Sequence, residues 1–293
     1  MSKYNTDGKN NGQKNIKNSL IYMNLNKIIE NVKENGFCKI ENFLEEDDFF
    51  RINTFLKKNI FNKKIKKGDN KSYFFRDKLS FFPKKIIHFE IEKIIEFRIL
   101  NKLSKKLNMK SIASEILGKK SKLYSIDSYY SPTSNKPVIN WHFDQAYSGR
   151  KDIKNFANPD NRIIKFFIYF TPVKTDDGCL AYIPKSNKIA YHLKKAFYKN
   201  ELEYKPYWML RDFRNVIKKK EYFLYLQKNL GSAFLQSFIN DTNFIDKDPF
   251  NTNRFDLNLD KGGAIIFDEG GAHMGSKTKN ERLVLRFLYR PYN

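Results

Sequence analysis

Apolar residues recur at helical spacing through much of the chain before residue 120. Leu25, Ile28, Ile29 and Val32 lie three or four positions apart, which places their side chains on one face of an α-helix. Gly36 follows and favours a helix end. The segments EEDDFFRINTFLKKNI and IIHFEIEKIIEFRILNKLSKKLN show similar spacing, FCKIENFL alternates as a short strand, and the Lys- and Asn-rich residues 60–85 predict a loop. This part is therefore predicted to be mainly helical.

From residue 121 the hydrophobic pattern changes to that of β-strands. Asp177-Gly178 is a strong turn signal between two of them. A series of short strands, with helices gathered on its N-terminal side, predicts a β-barrel or sandwich with a helical flank. The predicted strands are SKLYSIDSYYSP, KPVINWHFDQ, RIIKFFIYFTPV, CLAYIP, AIIFDE and ERLVLRFLYRPY.

One long segment interrupts the strand series. Residues 189–259 mix helical spacing with aromatic- and Asn-rich stretches, and a long excursion within a barrel is more often a lid or binding loop than filler. The polar residues 1–18 predict a disordered tail. Residues 19–293 are then predicted to form one domain that carries a lid insert at about 189–259.

Charge narrows the range of expected partners. The chain has 55 Lys+Arg against 32 Asp+Glu, a formal net charge of +23. The lysines are spread over most segments, whereas a nucleic-acid-binding protein more often gathers them on one stripe. Compositional drift therefore explains the charge better than a nucleic-acid partner does. A small-molecule substrate is expected, and the positive charge favours an anionic one by steering. The sequence does not indicate an oligomeric state.

The cysteines and the N-terminus bear on location. Cys38 and Cys179 are too few and too distant for a disulfide framework, and they fit reduced thiols in a cytoplasm. The N-terminus lacks the apolar stretch of a secretory signal, and no run of about 18 apolar residues offers a membrane span. We expect a cytoplasmic protein without a membrane span.

Candidate metal ligands begin with INWHFDQ, residues 139–145. His142 and Asp144 are two positions apart, and side chains two apart on a strand point to the same face. A third ligand must come from a distant segment, and His273 in FDEGGAHMGS is the best candidate among the four histidines. Alone, a His-x-Asp pair often arises by chance and marks a buried histidine and a turn aspartate. With His273 in this order of strands, the pattern is much more specific.

Two histidines and one carboxylate suit non-haem Fe(II), because they leave three coordination positions open. A 2-oxoglutarate co-substrate takes two of them, O2 takes the third, and the far carboxylate needs a cation. Arg282, at the start of the last predicted strand, supplies a guanidinium that can pair with a carboxylate through two hydrogen bonds. Arg286, four residues on, faces the same side and is an alternative contact to co-substrate or substrate, or is simply paired to a carboxylate.

Several segments together resemble the phytanoyl-CoA dioxygenase-like family of Fe(II)/2-oxoglutarate-dependent oxygenases. ENGFCKIENFL resembles the N-terminal block of that family, and NWHFDQ resembles its His-x-Asp block. TDDGCLAYIPKSNK is similar to its strand-turn-strand block, although Lys185 and Asn187 replace the usual Gly and His. KGGAIIFDEGGAHMGSKTKNERLVLRFLY is similar to its closing block. The resemblance covers roughly residues 35–290 and is weakest in the insert.

The resemblance implies a mainly β, α+β fold. This fold is a double-stranded β-helix, or jelly-roll barrel, with N-terminal helices on one sheet and a long helical and loop insert. It implies His142, Asp144 and His273 as iron ligands and Arg282 as the 2-oxoglutarate anchor. The expected activity is a dioxygenase that releases succinate and CO2. Related halogenases lose the carboxylate ligand, so Asp144 favours hydroxylation, or a desaturation or cyclisation variant.

Further contacts stay open at this stage. Ser276 stands near the position of a family hydroxyl, and Thr278 is its rival. At most one of Tyr129 and Tyr130 faces the interior, since adjacent strand residues point to opposite faces, and Tyr129 is a candidate co-substrate contact. The candidate substrate contacts are Gln145, Arg286 and Trp208. Two other functions compete, namely a nucleic-acid- or protein-modifying oxygenase and a barrel that binds a ligand without turnover.

Overall fold

The helices before the barrel pack on one sheet. The computed structural model of the chain describes residues 25–62, 72–78, 91–144, 157–252 and 254–292, so the predicted tail at residues 1–18 lies outside the described part. The N-terminal helices are α1 (25–35), α2 (Glu46–Asn62), α3 (Ile91–Lys106) and α4 (Met109–Leu117). Their buried residues form one core with the outer face of the larger sheet, as the sequence predicts.

Two antiparallel sheets form the double-stranded β-helix. The larger sheet has the order β1-β8-β5-β10-β3-β2, and the smaller has the order β4-β9-β6-β7. Interleaved strand numbers within each sheet show that the chain crosses repeatedly between them. The strands are β1 (Phe37–Ile40), β2 (Ser72–Lys78), β3 (Ser121–Ser131), β4 (Ile139–His142), β5 (Ile164–Tyr169), β6 (Leu180–Tyr182), β7 (Asp256–Leu257), β8 (Ala264–Asp268), β9 (His273–Gly275) and β10 (Arg282–Pro291).

Strand β5 illustrates why an almost continuous apolar run lies at the centre of the larger sheet. Ile164, Phe166 and Ile168 pack against the helices, whereas Phe167 and Tyr169 belong to the cluster between the two sheets. Because side chains alternate between the faces of a strand, a strand covered on both faces needs apolar residues at nearly every position.

The predicted loop at residues 60–85 is wrong in part. Strand β2 pairs antiparallel with β3, with Arg76 opposite Asp127, and forms one edge of the larger sheet. The strand itself, SYFFRDK, contains three aromatic residues of high β-propensity. The Lys- and Asn-rich sequence before it has low β-propensity, so the pattern over the whole segment did not indicate a strand. Pairing with the long strand β3 accompanies its formation.

The interruption of the strand series forms a helical layer. It contains α5 (Ser186–Tyr198), α6 (Leu210–Ile217), α7 (Lys220–Leu230), α8 (Ser232–Asp241) and a 3₁₀ turn (Asn243–Asp246). Leu193, Phe213 and Leu226 of these helices share a core with Trp141 and Met274 of the smaller sheet. The insert therefore covers the outer face of that sheet, and its role as a lid stays a prediction.

Phe213 is central to this layer. It is fully buried, and its ring centroid lies 4.5 Å from that of Phe143 and 4.8 Å from that of Tyr207. Phe213→Ala is expected to lower the free energy of unfolding by about 3–5 kcal/mol, because it removes a large buried ring and leaves a cavity. Urea denaturation measures this. Phe250→Ala, at a ring that is 51% exposed, is the control and should change stability by less than about 0.5 kcal/mol. Equal effects of the two variants would contradict the predicted packing.

Candidate metal centre

Two histidines lie opposite each other on neighbouring strands of the smaller sheet. His142 ends β4 and His273 begins β9, and the two residues are paired in the antiparallel register. Their ring centroids are 4.3 Å apart, and both side chains are buried. Directly opposite residues on paired strands share a face of the sheet, so the strand pairing alone brings these imidazoles together.

Asp144 completes the cluster. Its Oδ1 lies 3.1 Å from His142 Nε2, and its Oδ2 lies 3.2 Å from His273 Nε2. The possible ligand atoms of the three residues all lie within 4.8 Å of one another. The structure therefore brings together the three residues that the sequence predicts as metal ligands, and their role as ligands stays a prediction.

The hydrogen bonds of both imidazoles indicate which nitrogen is available to a metal. His142 Nδ1 lies 2.6 Å from the carbonyl of Asn140, and His273 Nδ1 lies 2.9 Å from the carbonyl of Gly271. A carbonyl oxygen only accepts, so each Nδ1 carries the proton and donates. Each Nε2 is then left with its lone pair facing Asp144, as a metal-ligating histidine requires.

The charge states of His273 and Asp144 also suit metal binding. Burial, helped by the neighbouring His142, lowers the pKa of His273 to about 4, so this imidazole is neutral at neutral pH. Burial opposes ionisation of Asp144, but the Lys165 ammonium beside it holds the pKa of Asp144 well below its usual range. A neutral imidazole and an ionised carboxylate are the forms that bind metals. This donor set fits Fe(II).

Arg282 lies between the sheets. It is 2% exposed, and it donates to the carbonyl of Gly178 at 2.7 Å and to the Tyr129 hydroxyl at 2.9 Å. Among the described residues nothing accepts a hydrogen bond from its buried Nε. A buried guanidinium with donor capacity left over is suited to an anionic ligand. This fits the predicted anchoring of a carboxylate.

The DG turn contributes to the position of Arg282. Gly178 has φ +73°, and a Cβ at this residue would lie 2.9 Å from Cδ of Arg282. Glycine is needed here for the left-handed turn and for the close approach of the arginine. Gly178, which the sequence indicates as a turn residue, therefore also leaves room for the Arg282 side chain.

The structure separates the predicted co-substrate contacts. Tyr129 is buried between the sheets, whereas Tyr130 packs on the helical side, so Tyr129 is the tyrosine that faces the interior. The buried Ser276 hydroxyl lies 3.5 Å from Sγ of Cys179, and the Thr278 hydroxyl donates to the carbonyl of Pro132 at 2.6 Å. Contact of either hydroxyl with a co-substrate stays a prediction.

Arg286 is paired to a carboxylate. Its Nη2 donates to Asp127 Oδ2 at 2.7 Å and its Nε donates to Asp127 Oδ1. Its guanidinium also lies 5.0 Å from the ring centroid of Tyr129 and 5.3 Å from that of Phe167. Of the roles considered for Arg286, the ion pair with a carboxylate is the one seen in the structure. Contact with a substrate stays a prediction.

Among the candidate substrate contacts, Trp208 lies close to the cluster. Its ring centroid is 6.3 Å from that of His142, and its carbonyl accepts a hydrogen bond from the backbone N–H of Phe143 at 3.0 Å. The insert thus reaches the end of strand β4. Gln145 lies outside the described residues.

Lys165 is a residue of the site that the sequence pattern does not single out. It is 4% exposed, and its Nζ donates to Asp144 Oδ2 and lies 3.0 Å from Glu269 Oε2. Burial opposes its charge, but Asp144 and Glu269 raise the pKa of Lys165 above its ordinary value. A single lysine inside the apolar run IKFFIY was the available signal, because a buried lysine needs a charged partner.

A cavity of about 730 Å³ lies beside the smaller sheet, between strand β9 and the end of the insert. Met274, Ser276 and Asn251 contribute to its wall. His142, Asp144 and His273 do not line it, since Met274 packs under the insert whereas its neighbour His273 lies against Phe267 in the interior. The cavity is therefore not assigned to the metal centre.

No helix in the described part of the chain is long and apolar enough to cross a membrane.

Comparisons with known proteins agree with this architecture. A family model described as phytanoyl-CoA dioxygenase (PhyH) matches residues 32–283. No curated protein sequence matches the chain significantly. The solved structure of the epimerase SnoN in complex with Fe3+, alpha ketoglutarate and nogalamycin RO is similar, with a TM-score of 0.53, 10% identity, and coverage of 92% of this chain and 84% of that chain.

Two further solved structures are similar at the same level. The non-haem alpha ketoglutarate-dependent carbocyclase SnoK has a TM-score of 0.53 and 13% identity over 90% of this chain and 83% of that chain. HygX from Streptomyces hygroscopicus, with nickel and 2-oxoglutarate bound, has a TM-score of 0.51 and 12% identity over 90% of this chain and 86% of that chain. At such identities the likeness shows a shared fold.

Proposed function

Because the chain belongs to the phytanoyl-CoA dioxygenase (PhyH) family, we propose that it is an Fe(II)/2-oxoglutarate-dependent dioxygenase that hydroxylates a small, anionic metabolite. The observation that carries the proposal is the convergence of His142, Asp144 and His273, with both Nε2 lone pairs facing the carboxylate. SnoN and HygX, which share the fold, were solved with a metal and 2-oxoglutarate bound.

Each residue has a distinct part in this proposal. His142, Asp144 and His273 would hold iron and would leave coordination positions for 2-oxoglutarate and O2. Arg282 orients the far carboxylate of 2-oxoglutarate, and Tyr129 supports the guanidinium. Phe167, Phe267 and Tyr182 line the interior with apolar surface, which excludes water from the reacting atoms.

Bound iron would supply the redox chemistry. 2-Oxoglutarate loses its first carboxylate as CO2, one oxygen atom of O2 enters succinate, and the other enters a substrate C–H bond as a hydroxyl group. The chain's part is to orient the two substrates and keep the site dry. SnoN is described as an epimerase and SnoK as a carbocyclase, so the same fold also supports outcomes without hydroxylation.

An anionic substrate is supported by the charge of the chain. The net charge of +23 raises the local concentration of anions by steering. Arg214 of the insert does not add to this support, because it is buried and donates to the carbonyl of Ile239 and to Asp246. A cytoplasmic location stays a prediction.

Turnover with a metabolite panel tests the proposal. The protein, Fe(II), 2-oxoglutarate and O2 are expected to release succinate faster in the presence of carboxylate- or phosphate-bearing metabolites than with neutral analogues. Mass spectrometry should find one oxygen atom added to the product. Stimulation by neutral compounds alone would refute the anionic substrate, and a product of unchanged mass would refute hydroxylation.

A separate measurement tests the chemistry without a known substrate. Anaerobic addition of Fe(II) and 2-oxoglutarate is expected to produce a visible metal-to-ligand charge-transfer band that depends on both. If no band forms and His142→Ala alters neither metal nor 2-oxoglutarate binding, the chain is a barrel without this activity.

A further inference from the structure

We propose that Lys165 is a positioning residue that restricts Asp144 to binding the metal through one oxygen atom. The inference rests on the proposed function. It concerns an ion pair that joins the two sheets, since Lys165 lies on β5 of the larger sheet and Asp144 follows β4 of the smaller sheet. Both oxygens of Asp144 face the histidines, since Oδ1 lies 3.1 Å from His142 Nε2 and Oδ2 lies 3.2 Å from His273 Nε2. The Lys165 ammonium bonds Oδ2 alone.

Lys165 is itself held in place. Its Nζ lies 3.0 Å from Glu269 Oε2, and both side chains are at least nine-tenths buried. Lys165 and Glu269 together carry no net charge, so the pair does not alter the total charge around a bound dication. Their effect is directional instead, because the ammonium stands on one particular oxygen of Asp144.

The number of bound oxygens matters to a site of this kind. A metal with six positions and three protein ligands keeps three positions open. A carboxylate that binds through both oxygens takes one of these away, and 2-oxoglutarate with O2 needs all three. An ammonium on Oδ2 repels an approaching dication and also occupies a lone pair of that oxygen. The metal is therefore directed to Oδ1.

A purely structural role is the competing explanation. In that explanation Lys165 serves only to neutralise the buried Glu269, whose pKa is raised by burial. The two explanations separate in a double variant, Lys165→Met with Glu269→Gln, which removes a neutral pair and replaces it with uncharged side chains of similar length. A structural role then affects stability alone, and a positioning role affects the ligands of the metal.

Calorimetric titration with manganese(II), which supports no turnover, is the test. In the double variant the dissociation constant for manganese(II) is expected to stay within about threefold of wild type, because a second Asp144 oxygen compensates. The dissociation constant of the manganese-loaded protein for 2-oxoglutarate is expected to rise about 10-fold, the lower end of what loss of a residue behind a metal ligand causes.

Other results overturn the inference. If both dissociation constants are unchanged, Lys165 is structural, and if manganese(II) binding weakens as much as 2-oxoglutarate binding, Lys165 does not select between the oxygens. If the double variant fails to fold, Lys165→Gln with Glu269→Gln decides in the same way, because it also removes the ammonium without changing the total charge and lets the two amides bond each other; the 2-oxoglutarate constant should again rise while the metal constant is unchanged. Wild-type protein that binds neither ligand would refute the proposed function itself, so the two failures are distinguishable.

Discussion

Asp144→Ala is expected to abolish 2-oxoglutarate turnover and to raise the dissociation constant for Fe(II) more than about 100-fold. Loss of a residue behind a ligand already costs roughly 10- to 100-fold in metal affinity, and among the described residues Asp144 is the carboxylate that clusters with His142 and His273. The variant also leaves the Lys165 ammonium facing two imidazoles, where it repels a dication. Anaerobic Fe(II) titration followed by calorimetry measures the effect.

Asp127→Asn is the matched control for this prediction. Asp127 is also a buried carboxylate, but it pairs with Arg286 and does not belong to the metal cluster. Its replacement is expected to lower stability, because a buried ion pair is broken, but to leave the Fe(II) dissociation constant within about threefold. Fe(II) binding that survives Asp144→Ala unchanged would remove Asp144 from the ligand set.

The residues of the cluster could be predicted from the sequence because they stand at characteristic spacings next to predicted strands. His142 and Asp144 are two apart at a strand end, and His273 and Arg282 precede and begin the closing strand. The facing of the two histidines depends on the pairing of β4 with β9. Strands β4 and β9 are far apart in the sequence, and their pairing is a property of the whole fold. The sequence therefore indicated the residues but not that His142 lies opposite His273.

Lys165 shows why part of the site escaped prediction. Period and hydrophobicity identify strand β5, and one lysine hardly changes that pattern. The importance of Lys165 comes from Asp144 and Glu269, which approach it from other segments. Only the three-dimensional arrangement shows that a buried cation meets a candidate ligand, whereas burial of a lysine alone predicts no more than some charged partner.

The insert and strand β2 were predicted less well for a related reason. Mixed helical and aromatic sequence over residues 189–259 indicated an excursion but not the surface it covers, which is the outer face of the smaller sheet. Strand β2, SYFFRDK, is short and follows Lys- and Asn-rich sequence, and it pairs with β3. In both cases tertiary contacts decide what the surrounding sequence pattern leaves open.

Arg282→Met is expected to raise the dissociation constant for 2-oxoglutarate about 100-fold while the dissociation constant for the metal changes less than about threefold. A charge-assisted hydrogen bond contributes about 1.5–3 kcal/mol. A guanidinium can bind a carboxylate through two such bonds, so we expect a loss near the upper end of this range, which corresponds to about 100-fold in the dissociation constant. The proposed metal ligands lie on β4, just after β4 and on β9, so the variant keeps their donor atoms. Calorimetric titration of the metal-loaded protein with 2-oxoglutarate measures the effect.

Choice of the 2-oxoacid separates anchoring from a general loss of structure. Wild type is expected to bind 2-oxoglutarate far more tightly than 2-oxobutyrate, which has no far carboxylate, because only the longer acid reaches the spare donor of Arg282. Arg282→Met should bind the two acids almost equally, and Arg282→Lys should lie between, since an ammonium keeps the charge without the planar fork. A variant that weakens both acids alike would show that Arg282 supports the fold through Gly178 and Tyr129. Preserved discrimination would instead move the anchor to another cation, with Arg286 the first to examine because it lies over the same Tyr129 ring.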